Sequence, residues 1–125
     1  MSTTVDALRL RRTLGRDQWG VPIQFGPDGW MLKHSNGTTT AIVSNATHND
    51  GREWIHASIA HTDRDPTYDE LVTLRRAVWG DSGWAYQVFA PPERHYNFHE
   101  HALHLRGLSD GSPALPDFSA PTGSV

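Results

Sequence analysis

The chain reads as a single α+β domain: about five strands in a mainly antiparallel sheet, in the order β-β-β-α-β-β, with one main helix packed on one face. Three observations predict this. The stretch "REWIHASIAHT" alternates, placing Ile55, Ala57 and Ile59 on one face and Trp54, His56 and Ser58 on the other. Ser35-Asn36-Gly37 is a hairpin signal, because Asn and Gly tolerate positive φ. "DPTYDELVTLRRAVWGD" carries the start and stop signals of a helix.

The elements follow in order. Residues 1–18 form an N-terminal arm in which Arg9, Arg11, Arg12 and Arg16 alternate with Leu8, Leu10 and Leu14. A loose arm or a short helix packed on the domain is expected there, and its charge is the one local feature suited to nucleic acid or an acidic partner. The domain proper is expected over residues 19–106. Residues 30–34 and 38–44 flank the Asn-Gly turn as strands, and "NATHNDG" makes a second turn before the alternating strand. "GPDG" at 26–29 is another turn. In the helix, Thr67 and Glu70 have capping-box spacing, Asp69 adds negative charge at the start, and Arg75 and Arg76 add positive charge near the end. Tyr68, Leu71, Leu74 and Val78 make its apolar stripe, and Gly80 stops it. Asp63, Asp65, Asp69 and Glu70 fit this helix entrance better than a cation loop. "WAYQVFA", ended by Pro91-Pro92, is a fourth strand and "ALHLR" a fifth. Residues 107–125 are rich in Gly, Pro and Ser and are expected to be a flexible tail. One helix does not cover five strands, so the other sheet face is expected to be solvated, covered by the arm, or buried in a partner.

Composition narrows the function classes. The 125 residues suit one domain; 37 % are hydrophobic, and five Trp, four Phe and three Tyr supplement the core. A net charge of −3 predicts no general attraction to nucleic acid. With no cysteine, disulfides and cysteine zinc sites are excluded. No apolar run reaches the roughly 20 residues that span a bilayer, and the N-terminus lacks a signal core, so a soluble cytoplasmic protein is expected. No dinucleotide fingerprint, phosphate-binding P-loop or nucleophile elbow occurs.

"HYNFHEHALHL", residues 95–105, holds four of the eight histidines. His99-Glu100 followed by His104 is one residue too long for the HExxH zinc motif, and on a helix that extra residue turns the second ligand about 100° away. The upstream prolines and the alternation of "HALHL" favour loop then strand. His95, His99 and His101 are therefore metal candidates without a converging geometry, and no cofactor is expected.

A second constellation lies across the sheet. If Leu103 and Leu105 face the helix, His104 and Arg106 point away from it. Should their strand lie beside the central one, His56, Ser58, His104 and Arg106 share one open face with Trp54. Two imidazoles, a hydroxyl and a guanidinium suit a phosphate, with one His as base and the other as acid. His56-Ala57-Ser58-Ile59 is also similar to the His-x-Ser/Thr-hydrophobic motif of the two-histidine phosphoesterases. The second copy that family requires is absent, since Arg106 stands where Ser or Thr belongs.

Three sets of residues in order over 54–106 carry a further likeness: Trp54, His56 and Ser58; Pro66, Thr67, Glu70 and Leu71; then Pro91, Pro92, Tyr96, Asn97, His99, Leu103, His104 and Leu105. With them the chain resembles a family of small uncharacterised proteins common in tailed phages, including those of actinobacteria. The chain departs from that pattern at Ala90, where the family has His, and at Arg106, where it has Trp. The first departure removes a ligand from any inherited metal site. The resemblance implies a phage or prophage product acting in the host bacterial cytoplasm. It singles out His56, Ser58, Asn97 and His104, and it implies no chemistry.

The expected function is a non-enzymatic phage accessory protein that binds a host protein or a small, phosphorylated ligand, as a monomer or a homodimer. Its binding residues are expected to be Trp54, His56, Ser58, Asn97, His104 and Arg106. The alternatives are a metal-independent phosphoesterase or nucleotide-binding protein using His56, Ser58, His104 and Arg106, and a histidine-ligated metal protein.

Overall fold

The structure is a computed structural model that describes residues 6–25, 28–47, 51–88 and 101–114. The elements are α1 (Ala7–Leu14), β1 (Ile23–Phe25), β2 (Gly29–Lys33), β3 (Thr39–Thr47), β4 (Glu53–His61), α2 (Tyr68–Trp79), β5 (Tyr86–Val88) and β6 (His101–Leu108). Among the described residues six strands form one sheet in the order β1-β2-β3-β4-β6-β5, and every neighbouring pair is antiparallel. The α+β class and the antiparallel sheet agree with the expectation from sequence. The sheet gains a sixth strand, because the short β1 pairs with β2; residues 26 and 27 between them, part of the expected turn, lie outside those described.

Local chemistry accounts for most element boundaries. The β2–β3 hairpin turns on Gly37, at φ 80°, while the Asn36 side-chain oxygen accepts the N–H groups of Thr38 and Thr39 at 2.9 and 3.1 Å. β3 runs on through Thr47, so the first residues of the expected second turn are strand; Asn45 and Ala46 find partners in Ile55 and Trp54 of β4. α2 has the full capping box: Glu70 N–H donates to Thr67 Oγ1 at 3.1 Å, and Thr67 N–H donates to Glu70 Oε1 at 2.8 Å. Gly80, at φ 85°, ends it. Tyr68 is not part of the buried stripe. It sits in the first turn, 77 % exposed, and Leu71, Leu74 and Ala77 make the buried face instead.

The N-terminal arm contains α1, capped by Asp6, whose carboxylate accepts Arg9 N–H at 3.0 Å. Leu10, 1 % exposed, seats it in the main core, and α1 packs on α2. Both described helices therefore lie on one face of the sheet, and the described part of the arm packs on that same face. The main core joins Leu10, Trp19, Leu71 and Leu74 to Val43, Ala57, Ile59 and Leu105 of the sheet.

β6 lies between β4 and β5, so after α2 the chain reaches the sheet edge first and then turns inward. Trp79 at the end of α2 pins β6 by donating its indole N–H to Leu108 O at 2.9 Å. β6 continues to Leu108, two residues past the expected domain edge at 106, and Ala114 is buried beside Trp54 and Leu108. Residues 107–114 thus include the end of β6 and a buried alanine. That second, smaller cluster, with Tyr86 against it, lies on the other face, helix-free among the described residues.

Candidate functional site

β4 and β6 are direct neighbours, and their register opposes His56 to Arg106 and Ser58 to His104. Because strand side chains alternate, all four share the helix-free face with Trp54. Directly opposed side chains have Cβ atoms about 4.5–5.5 Å apart, and diagonal ones such as His56 and His104 about 7 Å. The row containing Arg106 extends across four strands as Ser44, His56, Arg106 and Tyr86. The aromatic end of that row is a group: Trp54 meets Tyr86 edge-on with centroids 6.2 Å apart, Trp84 lies 5.6 Å from Tyr86, and Arg52 sits 5.4 Å over Trp54.

This face is not simply open. Ser58 and His104 are each 9 % exposed, and Ile42 and Ala60 beside them are buried, whereas His56 and Arg106 are half-buried. His56 and His104 each have an interaction of their own. Arg106 Nε is buried and, among the described residues, has no hydrogen-bond partner. A buried donor left unsatisfied costs about 1–3 kcal/mol.

The candidates in the His-rich segment stand elsewhere. His95, Asn97 and His99 lie within 89–100, outside the described residues. His101 opens β6, opposite His61 of β4. Among the described residues no three His, Asp or Glu side chains gather where they could hold a metal ion.

A second polar group, not anticipated from sequence, lies on the helix-covered face. His61 is 1 % exposed and spans two partners: Nδ1 is 2.7 Å from Thr39 Oγ1, and Nε2 is 2.8 Å from Glu70 Oε2. Asn36 Nδ2 donates to the same Thr39 oxygen at 2.9 Å, and Arg64 donates to both Glu70 oxygens at 3.0 and 3.1 Å. The donors fix the direction. Glu70 is a carboxylate and can only accept, so His61 Nε2 carries a proton; in the neutral imidazole Nδ1 then accepts the Thr39 hydroxyl proton. The chain runs Asn36 to Thr39 to His61 to Glu70, closed by Arg64.

Burial acts most strongly on the Glu70 carboxyl and pushes its pKa up. Hydrogen bonds from Arg64 and Thr67 N–H, with the electrostatic attraction of the His61 ring and the Arg64 charge, outweigh it together and hold the group at about 2. Arg64 is raised above its usual value, chiefly by its hydrogen bonds to Glu70. The relay stands beside a cleft of about 320 Å³ between α1, the β2–β3 hairpin and α2. A signal for it existed in the sequence. His61 continues the inward row Ile55, Ala57, Ile59, and a histidine on an apolar face requires polar partners; Glu70 stands at the third helical position of the element packed on that row.

Fold and site together define a small α+β protein whose antiparallel sheet is covered by helices on one side and presents cross-strand His-Arg and Ser-His pairs on the other. The chain belongs to the family of the domain of unknown function DUF7694, whose family model matches residues 46–110. That segment encloses the 54–106 run singled out from the sequence; the match shows a domain of unknown function and no phage origin. It includes His56, Ser58, His61, Glu70, His104 and Arg106, while Asn36 and Thr39 precede it. No curated protein and no solved structure shows significant similarity to the chain. No helix among the described residues is long and apolar enough to cross a membrane.

Proposed function

We propose that this protein is a non-enzymatic binding module that holds a small phosphorylated ligand on the helix-free face, with Arg106 as its main anion contact and His56, Ser58 and His104 around it. The observation that carries the reading is the cross-strand pairing of His56 with Arg106 and Ser58 with His104, beside a buried Arg106 Nε without a partner among the described residues. A guanidinium presents planar paired donors that match phosphate oxygens. The low exposure of Ser58 and His104 supports holding over turnover, since attack and departure both need access for water. The competing reading, a metal-independent phosphoesterase using the same four residues, draws its support from the Ser58–His104 opposition. The motif resemblance supports an accessory role for a phage or prophage product in the bacterial cytoplasm, where a host protein is the alternative occupant.

The test is a thermal-shift comparison of the wild type with Arg106→Ala and His56→Ala, against inorganic phosphate, nucleotides and cyclic nucleotides. A ligand at about 100 times its dissociation constant stabilises the fold by about 2.7 kcal/mol, several degrees for a domain of this size. A shift in the wild type that both variants lose supports the reading. Absence of any shift with every phosphorylated compound refutes it, and release of free phosphate from a bound ester would move the assignment to the hydrolase.

A further inference from the structure

The cleft beside the His61 relay has its own hydrogen-bonding character. Its apolar wall is Leu14, Trp19 and Ile59, and its polar wall includes His34, Asn36 and Arg64. Its volume of about 320 Å³ falls in the range of small-molecule pockets.

On the polar wall most acceptors are occupied. The two Glu70 oxygens receive Thr67 N–H, two N–H groups of Arg64 and His61 Nε2–H. Asn36 Oδ1 receives the N–H groups of Thr38 and Thr39, and Thr39 Oγ1 receives Asn36 Nδ2–H. His34 Nδ1 accepts Asn36 N–H at 3.0 Å, which leaves the proton of the neutral ring on Nε2. Donors are in surplus. The second Nδ2 hydrogen of Asn36, His34 Nε2–H and the remaining N–H groups of Arg64 have no hydrogen-bond partner among the described residues. A ligand that accepts hydrogen bonds matches this wall, and a cation does not.

Charge excludes the simplest acceptor, an anion. Arg64 is already paired with Glu70, and Asp69, which also lines the cleft, adds a further negative charge. We propose that this cleft is a second binding site, for a small uncharged ligand that offers a carbonyl oxygen to His34, Asn36 and Arg64 and packs an apolar, ring-sized body against Leu14, Trp19 and Ile59. The relay holds the wall in place: it ties the hairpin to β4 and α2 through Thr39, His61 and Glu70. It does not cleave what is bound, because His61 is 1 % exposed and does not line the cleft, so it has no route to a leaving group. The site is independent of the anion reading, since it lies on the opposite face of the sheet.

The experiment is a ¹H–¹⁵N titration of the full chain with acetanilide, and with benzoate and benzylamine as anionic and cationic probes of similar size. Acetanilide should move the amide signals of residues 34–39 with a dissociation constant in the millimolar range expected of a fragment, and the charged probes should bind at least tenfold more weakly. Thr73→Trp, which fills the cleft from α2, should abolish those shifts, as should Leu14→Trp from α1 if the first variant loses its folded spectrum. Arg106→Ala should leave them unchanged, which separates this site from the one on the other face. Binding of benzoate or benzylamine as tight as that of acetanilide, shifts that survive both cleft variants, or no binding of acetanilide would each overturn the proposal.

Discussion

Replacing Glu70 with Gln isolates one charge at the centre of the relay. Gln at this helical position can still close the capping box, so the change removes the carboxylate and spares the cap. Its worth follows from the carboxyl's position. A group held at about 2 instead of 4.5 contributes about 3 kcal/mol at pH 7. Glu70 is 26 % exposed and Arg64 49 %, so solvent screening lowers the expected loss to about 2 kcal/mol. A hydrogen bond from the buried His61 to a charged acceptor, worth about 1.5–3 kcal/mol, gives the same size. The sign is that of a depressed carboxyl. Its stabilisation is complete above the unfolded value near 4.5 and is lost as pH falls through that value toward 2. Urea unfolding followed by tryptophan fluorescence should show the variant weaker by about 2 kcal/mol at pH 7, with the gap closing between about pH 5 and pH 2. Equal midpoints at pH 7, or a gap that stays constant into acid, would refute the idea that this carboxylate is an anchor of the relay.

The other expectations test packing. Leu74→Ala, at a fully buried position on α2, should cost about 2–5 kcal/mol in the same urea assay. Gly107→Ala should cost about 3 kcal/mol and lower the thermal midpoint, because its Cβ would stand 2.6 Å from Trp84 O and 3.0 Å from the Trp79 ring, and a backbone oxygen cannot swing aside. Tyr68→Ser should change stability by no more than about 0.5 kcal/mol, since Tyr68 is 77 % exposed.

Several elements were legible in the chain because their causes are local. The alternation of β4 follows from the two-residue repeat of a strand, the hairpin from Asn36-Gly37, and α2 from Thr67, Glu70 and Gly80, all within one turn of the groups they satisfy. The shared face of His56, Ser58, His104 and Arg106 could be posed from the same repeat, but only as a condition, because strand alternation says which residues point together and not which strands are neighbours. Tyr68 misled because helical periodicity does not say where a stripe leaves the core.

What the sequence determined by itself, then, is the antiparallel α+β character, the helix ends and the two sides of the central strand. Only the tertiary structure decided that β6 inserts between β4 and β5, that α1 joins α2 on one face, and that Thr39, His61 and Glu70 meet. These contacts join residues 9 to 22 positions apart or cross the whole sheet. They are set by which apolar surfaces bury one another, a global balance that no local pattern of residues encodes.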